Sequence, residues 1–203
     1  MSVAQDTNGV KDAGQWITAA KPTYTALIDE QHLVSKLYNM VNVPTGVWIN
    51  EQERIVRPNE VAFVDDRFKN FTGLDSEPYL NALRDWLEKG EKSIYAMSEE
   101  KLRERLTQHD PNFVLAAAEF GLGEHLYKEG HLSEAIPHFK EAQRLNPKSW
   151  NYKRQAWALS DAKRDYGTSF GEEVQKIGGG KNYYAVPDLP EAPKPGDPPE
   201  KKP

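Results

Sequence analysis

The side chains in this sequence that could do chemistry are few, and one class is missing. There is no cysteine among the 203 residues. Disulfides, thiolate metal sites and cysteine nucleophiles therefore lie outside its chemistry. Five histidines remain: His32, His109, His125, His131 and His138. His131 and His138 fall on one predicted helix and could share a face. No carboxylate–histidine spacing around them matches a metal-binding helix, so a surface or capping role is expected. Asp65 and Asp66 stand together in "FVDDRF" and could ligate a cation. No further oxygen ligands lie nearby in sequence, and a polar connecting loop is expected instead. "GGGK", residues 178 to 181, lacks the frame and the following Ser or Thr of a phosphate loop. "GLG", residues 121 to 123, sits inside a predicted helix and follows no strand, so it is no dinucleotide fingerprint. Chain order supports no Ser–His–Asp arrangement. These residues give no catalytic group, no metal site and no cofactor.

Composition narrows the partners. Apolar residues make up 38% and charged residues 28%, enough for a core with much exposed surface. The net charge is −5, and the lysines and arginines are spread along the chain. Phosphate binding needs a basic face, so nucleic acid is not an expected partner. No apolar run approaches the roughly 20 residues of a membrane-spanning helix. "MSVAQDTNG" has neither the basic start nor the apolar core of a signal peptide, and a cytoplasmic location is the default expectation.

Three regions position whatever function exists. Residues 2 to about 58 alternate short strands with helical stretches. "SVAQD", "YTALID", "TGVWIN" and "RIVRP" read as strands, the last two joined by the turn "EQE". Between them, Val10, Trp16, Ile17 and Ala20 could gather on one helix face. Leu33, Val34, Leu37, Tyr38 and Val41 approach helical spacing on a second. Strand, helix, strand, helix and hairpin read as an α/β unit. From about Asp75 to Asp165 the pattern is helical. "DSEPYLNALRDWLEKG" predicts Ser76 as N-cap, Pro78 in the first turn, Gly90 past the end, and an apolar stripe of Leu80, Leu83, Trp86 and Leu87. Ser98 is predicted to cap "SEEKLRERL". Residues 178 to 203 read as a disordered, solubilising tail, because proline at that density blocks regular structure.

Residues 116 to 147, "AAAEFGLGEHLYKEGHLSEAIPHFKEAQRLNP", resemble one tetratricopeptide repeat, a helix–turn–helix unit of about 34 residues. Leu122 and small Gly123 fit the first helix, Gly130 the turn, Ala135, Phe139 and Ala142 the second helix, and Pro147 its end. Tyr127 is one position late, and Glu119 stands where a large residue is expected. "SWNYKRQAWALSDAKRDY" reads as a capping helix, with Trp150 and Trp157 packing on the pair. One repeat builds no long solenoid or large groove, so packing on the first region or dimerising is as reasonable as peptide binding.

"LIDEQHLVSKLYNMVNVPT", "GVWIN" and "EQERIVRP" together resemble the C-terminal half of a thioredoxin-like domain of the ResA/TlpA and AhpC/TSA redoxin branch. The resemblance covers roughly residues 2 to 60. It implies a cis Val43–Pro44 bond, and a substrate-facing loop of Val43, Pro44 and Thr45 whose backbone meets an extended peptide. It also implies thiol or selenol–disulfide oxidoreduction of antioxidant type. The family's Cys-x-x-Cys, with its strand and helix, precedes the stretch matched by "SVAQD", and this chain as written has no such nucleophile. Two expectations follow. An upstream half, carrying cysteine or selenocysteine, completes a redox enzyme of which this is an N-terminally truncated product. Alternatively, the chain is a non-catalytic scaffold that binds a protein partner through its helices.

The expected fold class is α/β plus α. An incomplete thioredoxin-like domain spans residues 1–62, a linker and helices 63–110, and a repeat-like helix pair with its capping helix 111–166. A C-terminal helix and Pro-rich tail fill 167–203. Without a covering strand and helix, Val3, Ile28, Val47, Trp48 and Ile49 should lose neighbours, which favours a homodimer through the exposed sheet.

Overall fold

A computed structural model describes residues 1–107 and 110–191. The fold is mixed, α/β in its first third and helical thereafter. β1 (Ser2–Gln5) pairs in parallel with β2 (Ala26–Asp29), and helix α1 (Val10–Ala20) makes the crossover. A short helix, α2 (Leu33–Leu37), leads to an antiparallel hairpin of β3 (Thr45–Ile49) and β4 (Ile55–Val61). The two pairs are separate two-stranded sheets. Gly46 pairs with Glu60 and Trp48 with Arg57, so β4 spends an extra residue near Pro58. A bulge tolerates a residue that has no N–H to donate.

α3 (Lys69–Thr72) and α4 (Ser76–Lys89) follow. Asp75, not Ser76, is the N-cap of α4: its carboxylate accepts from the Glu77 amide at 3.0 Å. Ser76 is drawn the other way, its hydroxyl donating to Asp66 at 2.8 Å. The buried face of α4 is Tyr79 and Ala82, with Leu80, Leu83 and Trp86 alongside, whereas Leu87 is exposed. The stripe is rotated because Trp48 is the partner. Its indole stacks on Trp86 at 5.2 Å and donates to the Tyr79 hydroxyl at 3.2 Å. Trp48 is thereby buried on this side, contrary to the expectation that it lacks cover, while Ile49 is exposed.

The two apolar helix faces expected in the first third are largely exposed. On α1 only Ala13 is buried, and Val10 and Trp16 face out. On α2, Leu33 and Leu37 are exposed, and the buried residues are His32 and Ser35. A polar contact described below turns this short helix.

α5 (Glu99–Thr107) starts after Ser98, and α6 (Pro111–Lys128) and α7 (Leu132–Leu145) form a helix–turn–helix. Gly130 makes the turn at φ 86°, a left-handed value that a Cβ disfavours. Ala116, Phe120, Ala135, Phe139 and Ala142 make the core between the helices. α8 (Trp150–Leu159) packs on that core through Tyr152, Ala156 and Leu159, not through Trp150 and Trp157. The two tryptophans face the C-terminal segment instead, against Val174 and Tyr183. α9 (Ala162–Tyr166) and α10 (Phe170–Lys176) lead to that segment. The tail expected from residue 178 is packed over its first part: Tyr183 is buried among Trp150, Phe170 and Tyr184. Aromatic rings outweigh the nearby glycines there. Residues 192–203 lie outside the described residues.

Gly123 and Gly121 give opposite tests of α6. A Cβ at Gly123 would stand 2.7 Å from the buried Phe139 ring, whereas one at Gly121 meets nothing within 4 Å. Gly123→Ala should therefore lose about 1–3 kcal/mol to overpacking, less the gain in helix propensity. Gly121→Ala should gain up to about 1 kcal/mol. Urea-unfolding midpoints should move in opposite directions.

Candidate functional site

The loop before β3 is held by residues far away in sequence. Met40 O accepts from the Asn151 amide side chain at 2.9 Å. Val41 O accepts from the backbone amides of Trp150 and Asn151, at 2.7 and 3.2 Å. These are the first two N–H groups of α8, which have no partner inside their own helix. Asn42 O accepts from the Thr45 hydroxyl at 2.5 Å, and Pro44 O from the Ala62 amide at 3.2 Å. Val43 O accepts from the Tyr184 hydroxyl at 2.8 Å, and Val43 N donates to its neighbour Asn42 at 2.9 Å. Every carbonyl from Met40 to Pro44 is thus bonded within the chain. The Val43–Pro44 bond is cis, and Pro44 itself is exposed. Val43, Pro44 and Thr45 are contiguous on one loop, with Val43 and Thr45 half-buried.

Beneath the hairpin lies a charged cluster. Arg57 is 2% exposed, the largest of the fully buried side chains. Its Nε donates to Tyr95 O at 2.8 Å, and its Nη1 to Glu60 at 2.6 Å and Asp188 O at 2.9 Å. Arg105 joins from α5, 3.3 Å from Glu60 and 3.0 Å from the Asp188 carboxylate. A buried guanidinium is tolerable only when paired and hydrogen-bonded, as it is here.

A second polar cluster lies between the α/β part and α6. Glu124 is 5% exposed. One carboxylate oxygen accepts from the Thr7 hydroxyl at 2.6 Å and lies 2.9 Å from His32 Nδ1. His32 is 3% exposed, sits at φ 52°, and packs edge-on against Phe120 at 5.2 Å. Tyr127 adds a bond from its hydroxyl to Asn8 at 3.2 Å. A cleft of about 280 Å³ opens beside this cluster, lined by His32, Phe120, Glu124, Tyr152 and Lys36. Burial, with the Glu124 charge second, pushes the Tyr152 hydroxyl up to about 12. Sequence reasoning names His32 among the histidines but neither Glu124 nor their pairing, since neither residue belongs to a motif and they lie 92 residues apart.

His109 lies outside the described residues, and other candidates have ordinary structural roles. His131 stands at the N-cap position of α7, 3.2 Å from Glu134, and His138 is 2.7 Å from Glu119. Asp66 binds the start of α4, and the Ser76 amide and hydroxyl hold its carboxyl below the usual range. Among the described residues, no group of three or more His, Cys, Asp or Glu could hold a metal ion. Nor is any described helix long and apolar enough to cross a membrane.

No family model, curated protein or solved structure matches this chain.

The raised Tyr152 group sets an alkaline limit. Its folded value of about 12 exceeds the ordinary tyrosine value of about 10, so it favours folding below pH about 10. That contribution is lost as pH rises through about 12. In an absorbance titration at 295 nm, the parent and Tyr152→Phe should give nearly the same tyrosinate signal at pH 11, because Tyr152 is still protonated there. The stability of the parent relative to Tyr152→Phe should fall above pH 10.

Proposed function

We propose that residues 2–62 are the substrate-facing part of a thioredoxin-like domain of the redoxin type. The helices, including one tetratricopeptide-like repeat, brace that part. The carrying observation is topological: a parallel β-α-β pair, then an antiparallel hairpin entered through Val43-Pro44-Thr45, with the two sheets sharing no ladder. Each sheet keeps an unpaired edge, the feature that accepts another strand. In this reading Val43 and Thr45 meet an extended polypeptide. The redox step belongs to a thiol or selenol that this cysteine-free chain does not contain.

A second reading is a non-catalytic interaction scaffold. One face of α6 favours it, since Leu115, Ala118 and Leu122 are exposed together at helical spacing. Small and apolar residues on one helix face suit packing by a further helix.

The two readings separate in material purified from the cells that make the protein. The redoxin reading expects a thiol or selenol to co-purify covalently or in a stable complex with residues 2–62. It also expects dithiothreitol-driven disulfide or peroxide turnover, at least tenfold lower in Thr45→Arg. Absence of both a chalcogen and turnover would overturn it in favour of the scaffold.

A further inference from the structure

The C-terminal segment Tyr183–Leu189 has no helix or strand, yet it is fastened at both ends, at Tyr183 and Tyr184 and at Asp188 and Leu189. Tyr183 O accepts from the Asn42 side chain at 3.0 Å. The Tyr184 hydroxyl donates to Val43 O at 2.8 Å, and its ring stands edge-on to Phe63 at 5.2 Å. Asp188 is held twice, its carbonyl by Arg57 and its carboxylate by Arg105. Leu189 packs on the cluster of Trp48 and Tyr79. Between these anchors, Ala185 and Val186 point to solvent, and Val186 is 84% exposed. Tyr183 belongs to the buried cluster with Trp150 and Val174, but from Tyr184 on an irregular stretch with its anchors on one side has the form of a bound peptide.

The face beneath it continues beyond what the segment fills. A groove of about 260 Å³ runs between Pro187 and Leu189 on one wall and Val61, Phe63 and Tyr79 on the other. It is apolar, it lies beside the loop that carries Val43, and its polar anchors are a carbonyl acceptor and a buried guanidinium. Val43 O and Arg57 Nη1 are matched by a hydroxyl donor and a backbone carbonyl four residues apart.

We propose that this face is a docking site for extended peptides and that Tyr184–Leu189 occupies it in cis. The ligand is an extended segment with an aromatic hydroxyl, a proline three residues on and a leucine two further. An external segment of that chemistry binds by displacing the chain's own. The proposal deepens the redoxin reading, because the Val43 carbonyl taken by Tyr184 is the group which that reading assigns to a substrate. The C-terminal segment then holds the site closed until a competitor arrives. A tyrosine hydroxyl is a donor across the physiological range, as the bond to Val43 O requires.

The test uses the full chain and a fluorescein-labelled synthetic peptide with the sequence of residues 181–191. Fluorescence anisotropy should show at least tenfold tighter binding to Tyr184→Phe/Leu189→Ser than to the parent chain. The single variant Tyr184→Phe keeps the ring against Phe63 and should show the same direction, so the test survives a double variant that does not fold. A labelled peptide with phenylalanine in place of its second tyrosine should bind the weakened chain at least fivefold less tightly. Val186→Ser, at a solvent-facing position, should match the parent. Equal affinity of parent and Tyr184→Phe for the peptide, or no binding to any of them, would overturn the proposal. Because this readout is peptide affinity, it fails independently of the chalcogen and turnover measurements that test the redoxin reading.

Discussion

The structure depends on one buried carboxylate. Glu124 leaves water on α6, and the groups that meet it, Thr7 and His32, both belong to the α/β part. A carboxylate taken out of water without partners costs several kcal/mol. Within the closed fold the carboxylate is satisfied only because the α/β part supplies both partners, so removing one partner while the packing stays closed leaves a buried charge underpaired. The arrangement also explains His32, which adopts a left-handed backbone that side chains with a Cβ seldom use. A local cost of about 1–3 kcal/mol for such a residue persists only where its surroundings over-determine it. Here a carboxylate and the Phe120 ring do so.

That constraint matters because the first third is thin. Each sheet has two strands, and two-stranded sheets are marginal in water without packing from elsewhere. The packing comes from opposite ends of the chain. α6 and α8 hold the β1–β2 side and the Val41 carbonyl, whereas α4, Arg57 and the C-terminal segment hold the hairpin. The loop at Val43 lies where these two supports meet. A loop so placed is positioned by the whole fold and not by its own sequence, which is how a short irregular segment can serve as a site.

Much of this was legible from local pattern, and the misses share a physical cause. Strand and helix placement followed alternation and periodicity, and the helix–turn–helix followed from Gly123, Gly130 and the Ala135–Phe139–Ala142 face. The apolar faces expected on α1 and α2 are not the buried ones, and on α4 Leu80, Leu83 and Trp86 pack while Leu87 does not, because apolarity alone does not choose the buried side. On α2 a histidine–glutamate contact spanning 92 residues chose it instead, and on α4 the Trp48 ring did. The same holds for the segment after residue 178. Its glycines and prolines predict disorder, yet Tyr183 and Tyr184 find rings and a carbonyl that only the folded chain brings together. Of the candidate loop, Val43, Pro44 and Thr45 are visible in the sequence. Tyr184, Trp150 and Asn151, which hold that loop, are not, because they are joined to it only in space.

The central claim is that the Glu124 carboxylate couples the two parts into one unit. It is tested most directly by a double-mutant cycle in the full chain, combining Thr7→Val with Glu124→Met and reading stability by urea unfolding. Contacting residues that share a buried bond show a coupling of about 0.5–3 kcal/mol, and the account predicts a value in that range with a single cooperative transition for every variant. Additivity within about 0.3–0.5 kcal/mol, or unfolding of the strands ahead of the helices in the parent chain, would contradict it.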